Sequence, residues 1–461
     1  MEPGINMEQI SGDRASTPSR SPDLSVVLPT INEKDNLELL LPTLKEITKQ
    51  LGIVAEILIV DGGSVDGTPD TARRFGARVV QQTERGYGGA LLAGFANARG
   101  SFVLTMDADL SHRPVVVEKL WAARDQAELL IASRYIEGGR SDVTGYRSAL
   151  SRILNVTYRR VLSVPTRDLS SGFRLYRQSV LASIRLDSTD FDVLEEILIR
   201  FQNDGWRIGE VPFLYMARGS GESHVRLFKF AWAYAKTLIR MWRLRNSLES
   251  ADYDYRAFDS PIFFQHYWQR RRHDAIARLA QGSARVLYVG CGSSRLPMSI
   301  PNCTGLDMRH NKLRFLRSFH SGLVEASPGK LPFADGAFDC IICSNVMKDG
   351  PHELFIECAR VLRPGGKLIV VTPDYSRRLW WFFEWLHRTI LRDYFAEHIE
   401  RFTRRDLEKQ LLHMGLEVVA CEYIAACEMI MTARTSAAGL RAMHATTEGG
   451  SGLSGARKAF E

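Results

Sequence analysis

Cysteine is absent from the first 290 residues of this 461-residue chain, and all seven cysteines lie at or beyond Cys291. An odd number confined to one half argues against a secreted disulfide scaffold and indicates a reducing compartment. No run reaches the ~18 uncharged apolar residues that a spanning helix needs. Residues 1–22 also lack an apolar signal core, and their polar composition predicts a disordered leader. We therefore expect a cytoplasmic protein whose membrane contact is at most peripheral.

Dense blocks of Lys and Arg with interleaved aromatics are also missing, so the net charge of +7 does not indicate nucleic-acid binding. Phosphate-rich ligands or anionic lipid explain the positive balance equally well. A hydrophobic content of 45% and a charged content of 25% are typical of globular proteins. The length exceeds what one core usually serves, which predicts two or three domains.

Short apolar runs alternate with amphipathic segments from Leu24 onward, and a second such series begins at Ala284. This pattern predicts two α/β domains, each with a parallel sheet covered by helices. The expected divisions are a leader at 1–22, a first domain at 23–245, an acidic and turn-prone linker at 246–260, a second domain at 261–434 and a Gly/Ser-rich disordered tail at 435–461.

Two carboxylates, Asp107 and Asp109, follow the apolar run FVLTM with one small residue between them. At a strand end, this spacing lets one carboxylate reach a hard cation while the other orients water or ribose. Mg²⁺ or Mn²⁺ held there would bridge a diphosphate and stabilise the charge that grows as it leaves. Asp-x-Asp also occurs in solvated turns, so the interpretation depends on the neighbouring motifs.

Two further acidic strand ends precede this motif, in LPTINE (28–33) and IVDGGSVDGT (59–68). Asp61 can accept a hydrogen bond from a base ring nitrogen, and Asp66 can hold the turn that follows. The segment GYGGALLAG then opens a helix with glycines, which allows the backbone to approach a diphosphate closely. Because ligands of open α/β sheets bind at the carboxyl ends of strands, these motifs predict a nucleotide diphosphate site.

Together the motifs resemble the family 2 glycosyltransferases of GT-A fold, in particular the dolichyl- and polyprenyl-phosphate mannose synthases. The resemblance covers about residues 24–245. Its most specific pieces are MDADLSHRP (106–114), ASRYIEGG (132–139), DLSSGFRLYR (168–177) and EVPFLYMARGSGESHV (210–225). It implies transfer of a hexose, mannose or glucose, from a nucleotide sugar to polyprenyl phosphate with inversion. The alternatives are transfer to a saccharide hydroxyl in envelope glycan synthesis and a non-catalytic membrane-surface assembly module.

The resemblance also implies roles for individual residues. Asp61 is expected to contact the donor base, Asp107 and Asp109 to serve donor and metal, and Ser111 to complete the metal shell. The donor-binding set is Pro29, Glu33, Asp61, Asp66 and Gly88, the catalytic set is Asp107, Asp109, Arg134 and Arg218, and the acceptor-phosphate set is Arg147, Ser151, Ser223 and His224. The sequence departs from the family pattern at Gly62, where many relatives have a second Asp, and at His224, where Lys is common.

The charge of the acceptor decides which catalytic groups are needed. A lipid phosphate is already an anion, so arginines and a divalent metal must offset its repulsion from the donor, and no protein base is required. A hydroxyl acceptor would need a general base. Asp168 and Glu196 are the candidates for that base, although each could instead pair with a nearby arginine.

The pattern predicts one long helix over residues 227–245. Five basic residues in it or directly before it share a face: Arg226, Lys229, Lys236, Arg240 and Arg243. Such a helix suits an anionic membrane surface. The alternative is a helix that packs its aromatic residues on the domain and leaves the basic face in water.

The second half resembles the class I S-adenosylmethionine-dependent methyltransferases over about residues 284–434, through RVLYVGCGSS (285–294) and TGLDM (304–308). The resemblance implies a Rossmann-like fold and cofactor contacts from Gly290, Gly292, Asp307 and Asp339. Tyr288 stands where an acid is usual, and other positions of the pattern also differ. Active methylation, cofactor binding without turnover and a purely structural domain therefore remain as alternatives. Cys340 and Cys343 are expected to be core residues on opposite faces of a strand.

Overall fold

The structure is a computed structural model that describes residues 21–142, 146–188, 190–216, 227–344, 351–381, 385 and 401–435. The chain groups into two compact units that do not follow its order. The first unit comprises Met1–Gly145, Ser171–Phe191 and Glu210–Ser223, and the second comprises Tyr146–Ser170, Asp192–Gly209 and His224–Glu461. The domain boundaries expected from the sequence stay predictions.

The first half of the chain builds a seven-stranded sheet and a separate two-stranded ribbon. The strands are β1 (Leu24–Thr30), β2 (Ala55–Asp61), β3 (Arg78–Gln81), β4 (Phe102–Thr105), β5 (Leu129–Ser133), β6 (Arg140–Ser141), β7 (Arg174–Arg177), β8 (Ile208–Pro212) and β9 (Leu214–Tyr215). The order in the large sheet is β3-β2-β1-β4-β7-β5-β8, and β6 pairs with β9.

The predicted parallel sheet is found for β3, β2, β1 and β4. β7 differs, because it runs antiparallel between β4 and β5. Hydrophobic periodicity reports burial and not strand direction, so the sequence pattern could not show this reversal. Thr30 pairs with Asp61 at the ends of β1 and β2, which brings the acidic turns after the first strands to one edge of the sheet.

The helices of this half are α1 (Lys34–Gln50), α2 (Thr68–Arg74), α3 (Tyr87–Asn97), α4 (Val116–Ala122), α5 (Tyr146–Leu162), α6 (Gln178–Leu181), α7 (Val193–Asn203) and α8 (Leu227–Arg245). In α1, Leu37, Leu40, Leu41 and Leu44 recur at helical spacing and are buried in the core under the sheet. None of the helices in the described residues combines the length and the apolarity that crossing a bilayer requires.

The second half builds another seven-stranded sheet. Its strands are β10 (Val286–Val289), β11 (Cys303–Asp307), β12 (Leu323–Glu325), β13 (Phe338–Ser344), β14 (Leu362–Pro373), β15 (Leu416–Ile424) and β16 (Glu428–Thr435). The order is β12-β11-β10-β13-β14-β16-β15, in which β16 is antiparallel to both of its neighbours and β10 to β14 pair in parallel. This arrangement confirms the predicted Rossmann-like fold.

The helices of the second half are α9 (Tyr253–Ala257), α10 (Phe263–Ala280), α11 (Leu296–Ser299), α12 (His310–Leu316), α13 (Pro351–Val361) and α14 (Arg404–His413). Cys340 and Cys343 are both fully buried, and they belong to the hydrophobic clusters on opposite faces of the sheet. The expectation of two core cysteines is therefore confirmed.

The segment expected as a linker, residues 246–260, packs tightly within the second unit. It contains α9, and its Asp252 accepts two hydrogen bonds from the buried Arg245 guanidinium, at 2.6 Å and 2.7 Å. Ser250 is also buried and donates to Asp252. The acidic composition of the segment thus serves internal pairing as well as solvation.

Candidate active site

Asp107 and Asp109 lie in the turn that follows β4, as the sequence predicts. The Asp109 carboxylate is buried and accepts hydrogen bonds from the Ser111 backbone N–H at 3.1 Å and from the Ser111 hydroxyl at 2.5 Å. Leu110 has a φ of 63°, which turns the chain back on itself so that these bonds can form. Ser111 is fully buried, and the contact that its hydroxyl makes is the hydrogen bond to Asp109.

His112 holds Asp107 from inside the domain. Its Nδ1 accepts a hydrogen bond from the Asp107 backbone N–H at 2.9 Å, which leaves Nε2 as the protonated nitrogen of the neutral ring. Nε2 lies 3.7 Å from Asp107 Oδ2. The imidazole is stacked on Phe173, with ring centroids 5.0 Å apart, and it is almost completely buried. The ring therefore fixes the backbone of Asp107, and its second nitrogen faces the Asp107 carboxylate beyond hydrogen-bond distance.

Tyr87, the first residue of α3, approaches Asp107 from the other side. Its hydroxyl lies 3.3 Å from Asp107 Oδ1, and its ring stacks on Phe191 at a centroid distance of 4.6 Å. Burial, followed by the Asp107 charge, raises the pKa of Tyr87 well above its ordinary value, so the phenol remains a hydrogen-bond donor. A Cβ at Gly172 would lie 2.4 Å from the Tyr87 hydroxyl. The structure thus brings the glycine-rich start of α3, with the buried Gly88, to the Asp107 turn.

Asp61 ends β2 and is buried. Its carboxylate accepts hydrogen bonds from the Gly63 and Ser64 backbone N–H groups, both at 3.1 Å. Pro29 lies in β1 opposite Val60, one position before the end of both strands. The carboxylate therefore shapes the turn that follows β2 while lying at the carboxyl edge of the sheet.

Glu33 and Asp66 connect the turns after β1 and β2. Asp66 accepts hydrogen bonds from Thr68 Oγ1 at 2.5 Å and from the Lys34 N–H at 3.0 Å, and the Glu33 N–H donates to Thr68 Oγ1. Burial acts to raise the pKa of Asp66, but the hydrogen bonds from Thr68 and Lys34 outweigh it and hold the pKa below its ordinary value. Asp66 is therefore an ionised residue that holds the turn.

Arg134 follows β5 and lies beside aromatic rings. Its guanidinium carbon is 5.2 Å from the ring centroid of Tyr135 and 5.4 Å from that of Tyr215. Tyr215 in turn contacts the His112 ring at a centroid distance of 5.8 Å. Arg134 is thereby placed in the same neighbourhood as the Asp107 turn.

The acceptor-phosphate set is only partly described. Arg218, Ser223 and His224 lie outside the described residues, as does the side chain of Arg147. Ser151 lies on α5 in the second unit, where its hydroxyl is 3.3 Å from that of Ser170.

The two candidate general bases are both buried in the second unit. Glu196 accepts hydrogen bonds from Arg200 Nε and Arg240 Nη2, both at 2.8 Å, and it is completely buried. It therefore fits the alternative in which the carboxylate pairs with arginines. Asp168 is also completely buried.

The basic face predicted for α8 is divided. Lys236 and Arg243 are exposed, whereas Arg240 pairs with Glu196. Arg226 and the side chain of Lys229 lie outside the described residues. Lys236 and Arg243 of the predicted face are thus exposed to solvent, whereas Arg240 forms an ion pair within the second unit.

In the second half, the glycine turn after β10 meets the acid at the end of β11. Gly292 has a φ of 52°, and its N–H donates to Asp307 Oδ2 at 2.7 Å, while the Arg309 N–H donates to Oδ1 at 2.9 Å. The preceding Gly290 also has a positive φ, of 71°. Gly290, Gly292 and Asp307 are therefore adjacent, as the resemblance implies.

Asp339 lies elsewhere, and the structure does not bring it to the glycine turn. It is the second residue of β13, where its carboxylate accepts hydrogen bonds from the Ala284 and Arg285 N–H groups at 2.8 Å and 2.9 Å. Those residues precede β10, whereas the glycine turn follows it. Asp339 therefore lies at the amino end of the parallel strands, opposite the edge where ligands bind.

The chemistry of the Asp107 turn fits a hard divalent cation, because both candidate ligands offer carboxylate oxygens. In the part of the chain that the structure describes, no group of three or more His, Cys, Asp or Glu side chains is arranged to hold a metal ion. Tyr87, His112 and Phe191 were missed by sequence reasoning. The one available signal was that His112 follows Asp107 within the same short motif.

Two family models match the chain. The model for glycosyl transferase family 2 matches residues 25–185, and a methyltransferase domain matches residues 287–370.

Three relatives match the first half of the chain. Dolichol-phosphate mannosyltransferase of Pyrococcus furiosus is 31% identical over 49% of this chain and 65% of its own length, so the chain spans just under two thirds of that protein. Polyprenol monophosphomannose synthase of Mycolicibacterium smegmatis is 34% identical over 53% of this chain and 96% of its own length. Undecaprenyl-phosphate mannosyltransferase of Micrococcus luteus is 33% identical over 43% of this chain and 85% of its own length. With nearly the full length of the M. smegmatis protein covered, the chain belongs to glycosyl transferase family 2 and carries a methyltransferase domain behind that part.

Proposed function

We propose that the chain transfers a hexose, mannose or glucose, from a nucleotide sugar to polyprenyl phosphate with inversion at the sugar carbon. The observation that carries this proposal is the Asp107 turn, where His112 holds the Asp107 backbone, Tyr87 contacts the Asp107 carboxylate and Ser111 donates to the Asp109 carboxylate. The names of the three relatives support the choice of mannose and of a polyprenyl phosphate acceptor.

The donor would lie along the carboxyl edge of the first sheet. Asp61 ends β2 at the side where a base is expected, and the first turn of α3 lies next to Asp107. Backbone N–H groups at a helix start favour diphosphate oxygens. Mg²⁺ or Mn²⁺, held by Asp107 and Asp109, would supply the positive charge that stabilises the departing diphosphate.

His112 and Tyr87 have a positioning role in this scheme. The His112 ring accepts from the Asp107 backbone, and the Tyr87 phenol lies at hydrogen-bond distance from its carboxylate, so the side chain is held before substrate arrives. Such preorganisation avoids reorienting a charged group during the reaction.

A lipid phosphate suits the charges better than a sugar hydroxyl does. Glu196 pairs with Arg200 and Arg240, which leaves it committed to structural ion pairs. An anionic acceptor needs no base, so this pairing is compatible with phosphate attack. The exposed Lys236 and Arg243 of α8 support peripheral contact with an anionic membrane surface.

The test is transfer from a panel of radiolabelled nucleotide hexoses to polyprenyl phosphate in the presence of Mn²⁺. We expect a lipid-linked product, its loss with chelator, and a fall in kcat on the order of 10²–10³ for Asp109→Asn. Asp70→Asn is the matched control, because Asp70 is highly exposed and pairs only with the neighbouring Arg73 among the described residues.

Activity that persists in Asp109→Asn and in chelator would remove the metal scheme. With a saccharide acceptor added to the same assay, labelled saccharide in place of labelled lipid would favour the hydroxyl acceptor. Retention of the anomeric configuration, measured by NMR on the product, would contradict direct displacement.

A further inference from the structure

The glycine turn of the methyltransferase domain is occupied by a carboxylate of the same chain. Asp254 of α9 accepts hydrogen bonds through Oδ2 from the Ser293 N–H at 3.0 Å and from the Ser293 hydroxyl at 3.1 Å. A Cβ built on Gly292 would lie 2.5 Å from the same oxygen. The close backbone approach that glycine permits at this turn is therefore used by Asp254.

The Asp254 carboxylate is bound by a buried cation as well. Lys312 Nζ on α12 donates to Asp254 Oδ2 at 2.6 Å, and the Lys312 side chain is only 2% exposed. Burial acts to raise the pKa of Asp254, but the Lys312 charge and the bonds from Ser293 outweigh it and bring the pKa to about 2. Removing the carboxylate alone would leave a buried ammonium group without its counter-charge.

Contacts on both flanks hold Asp254 in the turn. Before it, Asp252 is bonded to Arg245, and after it Asp259 pairs with Arg295 at 2.7 Å. The Arg295 guanidinium lies 4.1 Å from the ring centroid of Tyr255, which follows Asp254 directly. Since Arg295 comes from the end of the glycine turn itself, the segment is fastened to the turn that it covers.

The acid expected to bind ribose is also engaged. Both oxygens of Asp307 accept backbone N–H groups, from Gly292 and Arg309, and the residue is 6% exposed. These two bonds leave acceptor capacity on the carboxylate, so the obstacle to an adenosine ligand is Asp254, which it would have to displace from Ser293. The residues in this conformation therefore do not fit S-adenosylmethionine.

We infer that residues 252–259, the α9 cover, occupy the cofactor turn of the methyltransferase domain and exclude S-adenosylmethionine from it. The excluded ligand is an adenosine-containing cofactor, and the occupant is the Asp254 carboxylate with its Lys312 partner. The domain then serves the chain without a bound cofactor. This inference does not depend on the proposed sugar transfer.

Isothermal titration calorimetry of the full chain with S-adenosylmethionine and with S-adenosylhomocysteine tests the inference. The variant is Asp254→Ala/Lys312→Met, which removes both charges and so avoids an unpaired buried ammonium group. We expect no binding by the unaltered chain and binding by the double variant, a gain in affinity on the order of tenfold or more.

Glu408→Ala/Arg404→Met is the matched control, because it removes an exposed ion pair on α14 of the same domain, and no described residue of the α9 cover pairs with either side chain. It should behave like the unaltered chain. Thermal unfolding establishes that each variant is folded, and Asp254→Asn, which keeps the shape and removes the charge, is the second variant. Binding by the unaltered chain would overturn the inference. The inference would also be overturned if none of the folded variants bound the cofactor, because something other than the α9 cover would then prevent binding.

Discussion

The buried ion pair between Arg245 and Asp252 gives the sharpest stability prediction. Arg245 is fully buried and Asp252 nearly so, and their two hydrogen bonds measure 2.6 Å and 2.7 Å. Asp252→Ala removes one partner and leaves a buried guanidinium without its counter-charge, which typically costs about 3–5 kcal/mol. The bonds from Arg245 to the Leu162 carbonyl and the Ser250 hydroxyl remain, so we expect the lower half of that range.

Differential scanning calorimetry measures this loss. For a domain of this size each kcal/mol lowers Tm by roughly 2–4 °C, so the variant should lose on the order of 6–16 °C in the transition of the second unit. Asp259→Ala is the control from the same acidic segment. Asp259 is about half exposed, and its pairs with Arg270 and Arg295 belong to the surface class worth about 0–1 kcal/mol.

The reasoning fails if Asp252→Ala and Asp259→Ala shift Tm equally. Asp252→Asn adds a second comparison, because it keeps hydrogen-bonding capacity and removes only the charge. Its loss should fall between those of the two alanine variants. Burial acts to raise the pKa of Asp252, but Arg245 and Arg256 outweigh it and lower the pKa, so the pair persists at neutral pH.

Three further predictions concern separate contacts. Gly94→Ala would place a Cβ 2.3 Å from Val27 Cγ1, and this overpacking should cost about 1–3 kcal/mol in urea unfolding. Tyr158→Phe removes a 2.6 Å hydrogen bond to a backbone carbonyl and should cost about 0.5–1.5 kcal/mol by the same assay. The pKa of Asp254 is about 2 in the folded chain, below the ordinary value of 3.8 that it has when unfolded. Its contribution to the free energy of unfolding is therefore complete above pH 3.8 and is lost as the pH falls toward 2. A stability profile from pH 6 to pH 2 should therefore lose on the order of 2 kcal/mol more for the unaltered chain than for Asp254→Asn.

Much of the fold could be predicted because burial leaves a periodic trace in the sequence. The buried runs of β1, β2 and β4 alternate with amphipathic helices, and the acids that follow them meet at one edge, as their positions at strand ends indicate. Strand direction leaves no such trace, which is why the antiparallel β7 was not expected.

The candidate site could be predicted only where its residues follow strands directly. Asp107 and Asp109 were found in this way, whereas Tyr87 reaches Asp107 across 20 residues of chain through tertiary packing. Asp254 meets Ser293 across 39 residues and Lys312 across 58, so no local pattern could reveal the occupied turn. Asp339 is a different case, because an acid at the start of a strand lies at the opposite edge of the sheet from an acid at its end.

The two compact units are interleaved along the chain, which crosses between them after Gly145, Ser170, Phe191, Gly209 and Ser223. No single cut in the gene can therefore release either unit whole. A fragment that ends at Arg245 would keep the first unit but would carry α5, α7 and α8 without the rest of their own compact body. Dissecting the sugar-transfer half from its companion consequently calls for point substitutions in the intact polypeptide, since truncation after Arg245 would divide the second unit.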